Sequence, residues 1–200
     1  RGFNYNFMNQ PVEARADFES FIARYPRHQL SKEAHLWRAL SFFAEREYAT
    51  ALEALKVLAP TVKGGRLEPE VAYRIASTYY AMRDYESALS SINAYLNRYT
   101  QHTRTDEARV LLGDIEMGRG ELATARAIFM EISPNAGHLF VYSAFQAGKI
   151  IRAVAGAAEN KVARDRLLNS HIEHFQNYLN REDVPFKGRI SEALYWIGWT

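Results

Sequence analysis

Residues Glu70 to Tyr95 read EVAYRIASTYYAMRDYESALSSINAY. A small residue, Ala76, is followed three positions later by Tyr79. A second small residue, Ala88, stands twelve positions after the first, with Ile92 and Tyr95 four and seven residues beyond it. Spacings of three and four mark one face of a helix. The polar pair Arg83-Asp84 interrupts the pattern, so the stretch predicts two helices joined by a short turn.

The same pattern recurs in both directions every 37 residues. Ala14, Ala51, Ala88 and Ala125 form one series, followed by Phe18, Leu55, Ile92 and Phe129, and then by Phe21, Leu58, Tyr95 and Ile132. Ala39, Ala76 and Gly113 form a second series, and Glu33, Glu70 and Glu107 precede it by six positions. The first helix of each pair is predicted over about 32–45, 69–82 and 106–118, and the second over about 48–59, 85–98 and 121–132. Pro69 suits a first turn, where its missing N–H is not needed. Thr105 reads as an N-cap, and the recurring Glu lies where the helix dipole favours an anion. Short turns make paired helices antiparallel neighbours. Small residues at both series let the helices of a hairpin approach closely. One hairpin cannot bury its apolar face alone, so the units stack into a solenoid.

Composition narrows the function. The 200 residues are 48% hydrophobic and 24% charged, enough to bury a substantial core. A net charge of only +2 argues against a dedicated nucleic-acid binder. The absence of cysteine excludes disulfides, thiol nucleophiles and cysteine metal sites. No apolar run approaches the roughly 18–20 residues of a spanning helix, so no direct membrane insertion is expected here. Both ends read as cuts, so the chain is expected to be a piece of a longer protein.

The small–aromatic–small–large pattern resembles the tetratricopeptide repeat. The resemblance covers residues 11–134 well and the remainder partially. It implies an all-α, right-handed superhelix of antiparallel helix pairs, read as a single solenoid over 1–200. The family's usual tryptophan position falls on His35, Ala72 and Arg109, with Trp37 two residues away, and the period is 37 rather than 34. The longer period, with Tyr25-Pro26 closing one unit and Ser31-Lys32-Glu33-Ala34 opening the next, is similar to a bacterial envelope subfamily. That subfamily includes the lipoprotein of the outer-membrane barrel assembly machine and the Tol–Pal coordinator. The resemblance implies a periplasmic or envelope location, with the cytoplasm left open.

Residues 135–188 form an irregular pair. His138–Ala158 and Asn160–Arg181 read as longer helices, Ala147-Gly148 takes the role of Gly113, and Ile172, Phe175 and Tyr178 follow after about ten extra residues. Residues 189–200 read as the start of another repeat, in which Tyr195, Trp196 and Trp199 would favour self-association through an exposed end helix.

Catalytic and metal patterns are sparse. His171-Ile172-Glu173-His174 offers two imidazoles at i and i+3, either as two metal ligands or as surface histidines on a charged face, and no third ligand is evident. Met117-Gly118-Arg119-Gly120 lacks the strand and the third glycine of a phosphate loop. Glu45 and Glu47 fall in a turn. These readings predict no enzyme activity, no cofactor and no bound metal.

In a superhelix of this family the first helices line the concave face. The repeat alignment then places Leu36, Leu40 and Phe43, then Tyr73, Ser77 and Tyr80, then Val110, Asp114 and Met117 in a partner-binding groove. Phe42 and Tyr79 are expected in the core behind them. Chaperone-binding relatives clamp a terminal carboxylate with Lys, Asn and Arg at such positions. Here they are apolar, aromatic or acidic, which suits an apolar or aromatic-bearing protein segment, bound as a strand or an amphipathic helix. Lys149 and Arg152 continue the stripe, either as solvated basic residues on a helix or as contacts for acidic residues of a ligand at that end. The sequence thus predicts a protein–protein interaction scaffold. The alternative is a structural spacer arm of a larger enzyme or outer-membrane machine, with its groove filled internally.

Overall fold

The computed structural model describes residues 10–182, and every regular element among them is helical. In chain order these are α1 (Pro11–Arg24), α2 (Ser31–Ala44), α3 (Tyr48–Val62), α4 (Glu68–Ala81), α5 (Tyr85–Arg98), α6 (Thr105–Arg119), α7 (Leu122–Met130), a 3-10 turn (Pro134–Ala136), α8 (His138–Gly156) and α9 (Lys161–Asn180). They fall into two compact units, one ending at His102 and the other beginning at Thr103. Within each unit, helices adjacent in sequence pack together, and in the second unit α6 also touches α8. The predicted continuation at 189–200, with Tyr195, Trp196 and Trp199, lies outside the described residues.

The small residues sit where helices cross. Ala39, Ala51, Ala76, Ala88 and Ala125 are fully buried. At Gly113 even alanine would be too large, since a Cβ would lie 2.6 Å from the ring of Phe129. Gly148 has the same role in the irregular pair, where a Cβ would lie 2.4 Å from the Phe175 ring. The extra residues between Gly148 and Phe175 are taken up by longer helices of 19 and 20 residues. The first unit centres on Leu36, Ala39, Leu55, Leu58, Val62 and Val71. The second centres on a larger cluster that includes Phe129, Phe140, Phe145, Phe175 and Tyr178.

The turns repeat as faithfully as the helices. Arg46, Arg83 and Gly120 are 37 residues apart and all adopt positive φ, at 63°, 62° and 85°. Each closes its helix with the same pair of backbone bonds. Arg83 N–H donates to the Tyr80 carbonyl and Asp84 N–H to the Tyr79 carbonyl. Arg46 and Glu47 do likewise with Phe43 and Phe42, and Gly120 and Glu121 with Met117 and Glu116. This left-handed cap satisfies carbonyls that would otherwise be orphaned at the helix end. Arginine carries a steric penalty there that glycine lacks. Arg83→Gly is therefore expected to raise stability by about 0.5–1 kcal/mol, and Gly120→Ala to lower it by a similar amount, both read from urea midpoints.

Each recurring Glu pairs with an arginine, at a different sequence offset in each repeat. Glu33 pairs with Arg66 at 2.6 Å, Glu70 with Arg74 at 2.7 Å, and Glu107 with Arg104. Three local expectations need correction. Thr105 is the first helical residue, buried, with Arg104 in the cap position and no side-chain cap bond. α3 runs through Pro60 to Val62 instead of stopping near 59. Val62 is packed in the core, and Lys32 Nζ donates to the Thr61 carbonyl at 2.6 Å, so tertiary contacts hold a turn that proline weakens locally. α7 ends at Met130 instead of Ile132, because Ser133 precedes proline and is forced into extended backbone at ψ 142°.

Candidate partner-binding surface

The nine residues expected in one groove divide between the two units and differ in exposure. In the first unit, Leu36 is only 4% exposed and belongs to the core, which corrects its placement in the groove. Leu40 is half-buried against the same core. Phe43 and Tyr80 are half-buried and braced from behind. Phe43 tilts onto Tyr48 with centroids 5.1 Å apart, and Tyr80 onto Tyr85 at 6.1 Å. Both braces join the last turn of a first helix to the first residue of its second helix, and they recur at the 37-residue period. Tyr73 meets the buried Tyr95 edge-on at 6.0 Å. Ser77 Oγ donates to the Arg74 carbonyl of its own helix.

In the second unit, Val110 is 7% exposed and is also core. Met117 is partly buried against that core. Helical geometry explains both corrections. Leu36 and Val110 stand three residues before the small residue, where the next helix pair covers the side chain, whereas the positions one and four after it stay more open.

Phe42 and Tyr79 are not core either; each is half-buried beneath a cation from the preceding second helix. The Arg15 guanidinium lies 4.6 Å from the Phe42 ring centroid and bonds to Glu45 at 2.8 Å. Lys56 Nζ lies 5.5 Å from the Tyr79 centroid. Long cationic side chains cover apolar surface with their stems while the charge stays in water.

Asp114 has the most distinctive chemistry of the set. It is half-buried, and its Oδ1 accepts a hydrogen bond from Tyr142 Oη at 2.8 Å; Gln146 Nε2 donates in turn to Tyr142 Oη at 2.6 Å. Burial pushes the Asp114 carboxyl up to about 6, partly opposed by the Tyr142 bond. Above pH 6 the charge is present in both folded and unfolded chains, and the folded state bears its desolvation. As pH falls from about 6 toward 3.8, only the folded state takes up the proton, so this contribution to stability rises. Asp114→Asn is therefore expected to stabilise the second unit at pH 7.5 by about 1–2 kcal/mol, with the gain fading by pH 4. Urea unfolding of both proteins at the two pH values checks this. Tyr142 and Gln146 escaped the repeat alignment because they stand six and two residues before Gly148, at positions the alignment did not assign to the groove. Their spacing of four on a predicted helix was the available signal. Lys149 is exposed and Arg152 half-buried further along α8.

The two histidines of α9 fit neither reading drawn from their spacing. His171 is fully buried, with Nδ1 2.9 Å from the Gly148 carbonyl, and His174 Nε2 lies 2.8 Å from the Ala144 carbonyl. A carbonyl only accepts, so each of these ring nitrogens carries the proton. Burial pulls His174 below its ordinary value and keeps it neutral. The pair clips α9 onto α8, and both rings meet Phe175 edge-on. Among the described residues, no group of three potential ligands could hold a metal ion.

Each unit also carries a cleft between consecutive second helices. One, of about 330 Å³, lies between α3 and α5 over α4, where Arg98 bonds Glu68 at 2.8 Å. The other, of about 260 Å³, lies between α7 and α9 over α8 and is lined by Phe129, Phe140, His174 and Arg181 among others.

Known proteins share this organisation. Residues 8–65 match the tetratricopeptide-repeat family, and residues 43–135 match YfiO, a family described as outer membrane lipoprotein. An ancillary SecYEG translocon subunit of Aggregatibacter actinomycetemcomitans is 23% identical over 135 residues, which are 68% of this chain and 64% of that protein. The match thus spans less than two thirds of the length of that curated relative. A crystal structure of a Podosopora anserina kinesin-light-chain-type protein with nearly identical TPR-like repeats superposes with a TM-score of 0.66. It covers 90% of this chain and 93% of the other at 12% identity, a likeness of fold. With its 37-residue period, crossing-point small residues and recurring left-handed turns, the chain has the tetratricopeptide-repeat fold and is similar to bacterial envelope proteins built on it.

Proposed function

We propose that this chain is a non-catalytic scaffold that recruits a partner protein through the exposed faces of its first helices, within a larger envelope protein. The observation that carries the reading is the pair Phe43 and Tyr80, large rings at equivalent positions, each held against a second-helix tyrosine and each only half-buried. A surface ordered before binding loses little entropy on association, and tyrosine gives large contact area with few rotatable bonds. Leu40 and Met117 extend the apolar character within their units. The partner segment is apolar or aromatic-bearing, bound as an extended strand or an amphipathic helix. Similarity to an outer membrane lipoprotein family and to an ancillary translocon subunit supports an envelope, periplasm-facing location and a role beside protein-handling machinery. No helix among the described residues is long and apolar enough to cross a membrane.

The test is affinity capture from native extract with the chain as bait, beside a Phe43→Ala/Tyr80→Ala variant of verified helicity. Proteins held by the first and lost by the second support the scaffold. Identical capture on both counts against this surface. It would favour the second reading, a spacer arm whose surface is covered by the rest of its own protein.

A further inference from the structure

No charge among the described residues balances that of Asp114. Its one polar partner is a phenol, Tyr142 Oη at 2.8 Å, and among the described residues it forms no ion pair. The arginines of α6 have other acids: Arg109 is 3.4 Å from Asp106 and Arg119 is 2.6 Å from Glu116. A half-buried carboxylate without a cation is unfavourable unless something supplies one. The carboxylate is nevertheless held in place. Gln146 Nε2 fixes the Tyr142 hydroxyl, and that hydroxyl fixes Oδ1 of Asp114, which leaves Oδ2 without a hydrogen-bond donor from the described chain. Three residues along the same helix face, Met117 offers a flexible apolar side chain suited to an aliphatic stem. Had this network served the core alone, a neutral amide at position 114 would have served it better.

We propose that Asp114 anchors a Lys or Arg side chain of the protein segment bound on the first-helix face of the second unit, with Tyr142 and Gln146 as positioning residues. This rests on the scaffold reading above and adds the chemistry of the partner: a cation flanked by apolar or aromatic residues. The ligand's ammonium or guanidinium takes the open oxygen and neutralises the carboxylate. Its stem lies along Met117.

The probe is a phage-displayed library of random ten-residue peptides, selected on the whole chain at pH 7.5 and then synthesised. Selected peptides are expected to carry Lys or Arg. Their affinity is expected to fall about 10–100-fold against Asp114→Asn, which keeps an acceptor for Tyr142 and should fold at least as stably. Replacing the peptide's cation by norleucine or citrulline should cause the same fall on the original chain. No further fall is expected when both changes are combined. Peptides without a cation, or equal affinity for Asp114→Asn, overturn the proposal. The Phe43→Ala/Tyr80→Ala variant separates the two readings. Peptides lost by that variant but indifferent to Asp114→Asn uphold the scaffold surface and overturn the anchor. Peptides lost by Asp114→Asn but retained by the aromatic variant uphold the anchor and count against the aromatic surface. Selection of no peptide overturns both.

Discussion

Phe175→Ala is expected to lower the stability of the second unit by about 3–5 kcal/mol, the range for emptying a fully buried aromatic site. The ring lies against the backbone at Gly148 and is flanked edge-on by His171 and His174. It also tilts onto Phe145 at 5.2 Å. No neighbour can follow it inward, because the glycine that receives it has no side chain to extend. The loss should be local. Stability in stacked repeats is approximately a sum over repeats and their interfaces. Hydrogen exchange read by mass spectrometry should show α8 and α9 losing protection while α2 to α5 keep theirs. Uniform loss along the chain would show that the two units do not unfold separately.

Gly148→Val probes the same contact from the other side. The first added carbon alone would stand 2.4 Å from the Phe175 ring, and the two branches reach further. The expected cost is about 3 kcal/mol, at the upper end of overpacking, which the slight helix-propensity gain of valine over glycine does not offset. Displacing α9 also breaks the two histidine bonds to α8. His174 should then return toward the ordinary histidine value as its burial is lost, and proton NMR titration of its ring reads this directly. The sign is fixed by which form the fold favours. His174 is held neutral, so its contribution is complete above about pH 6.5 and is lost as pH falls below that, when only the unfolded chain takes up the proton. An unshifted titration in Gly148→Val would mean that α9 stays docked and the ring yields instead.

Much of this protein could be read from residue types at fixed intervals. Ala39, Ala51, Ala76 and Ala88 marked the helix crossings, and all are fully buried. Ala147-Gly148 was recognisable as the stand-in for Gly113 because small residues are required wherever two helix backbones approach. The proposed binding surface was only partly legible. Phe43 and Tyr80 are half-buried, whereas Leu36 and Val110, assigned to the same groove, are core. Periodicity tells which residues share a helix face. How far along that face the next helix pair reaches depends on packing. Phe42 and Tyr79 were misplaced for the opposite reason: the side chains over them belong to Arg15 and Lys56, some two dozen residues earlier.

The histidines show the same division. Their i and i+3 spacing is visible in the sequence, but their bonds go to carbonyls four residues apart on another helix. Asp114 was placed on the surface by its register, while its link to Tyr142 crosses 28 residues. The sequence alone determined the helices, their pairing, the 37-residue period and the small residues at each crossing, because these follow from local backbone preference and side-chain size repeated at a constant interval. Tertiary structure alone decided which residues of each exposed face stay accessible, which charges are balanced, and whether a histidine is a ligand or a clip. Those properties depend on the distance and desolvation between side chains that chain order does not bring together.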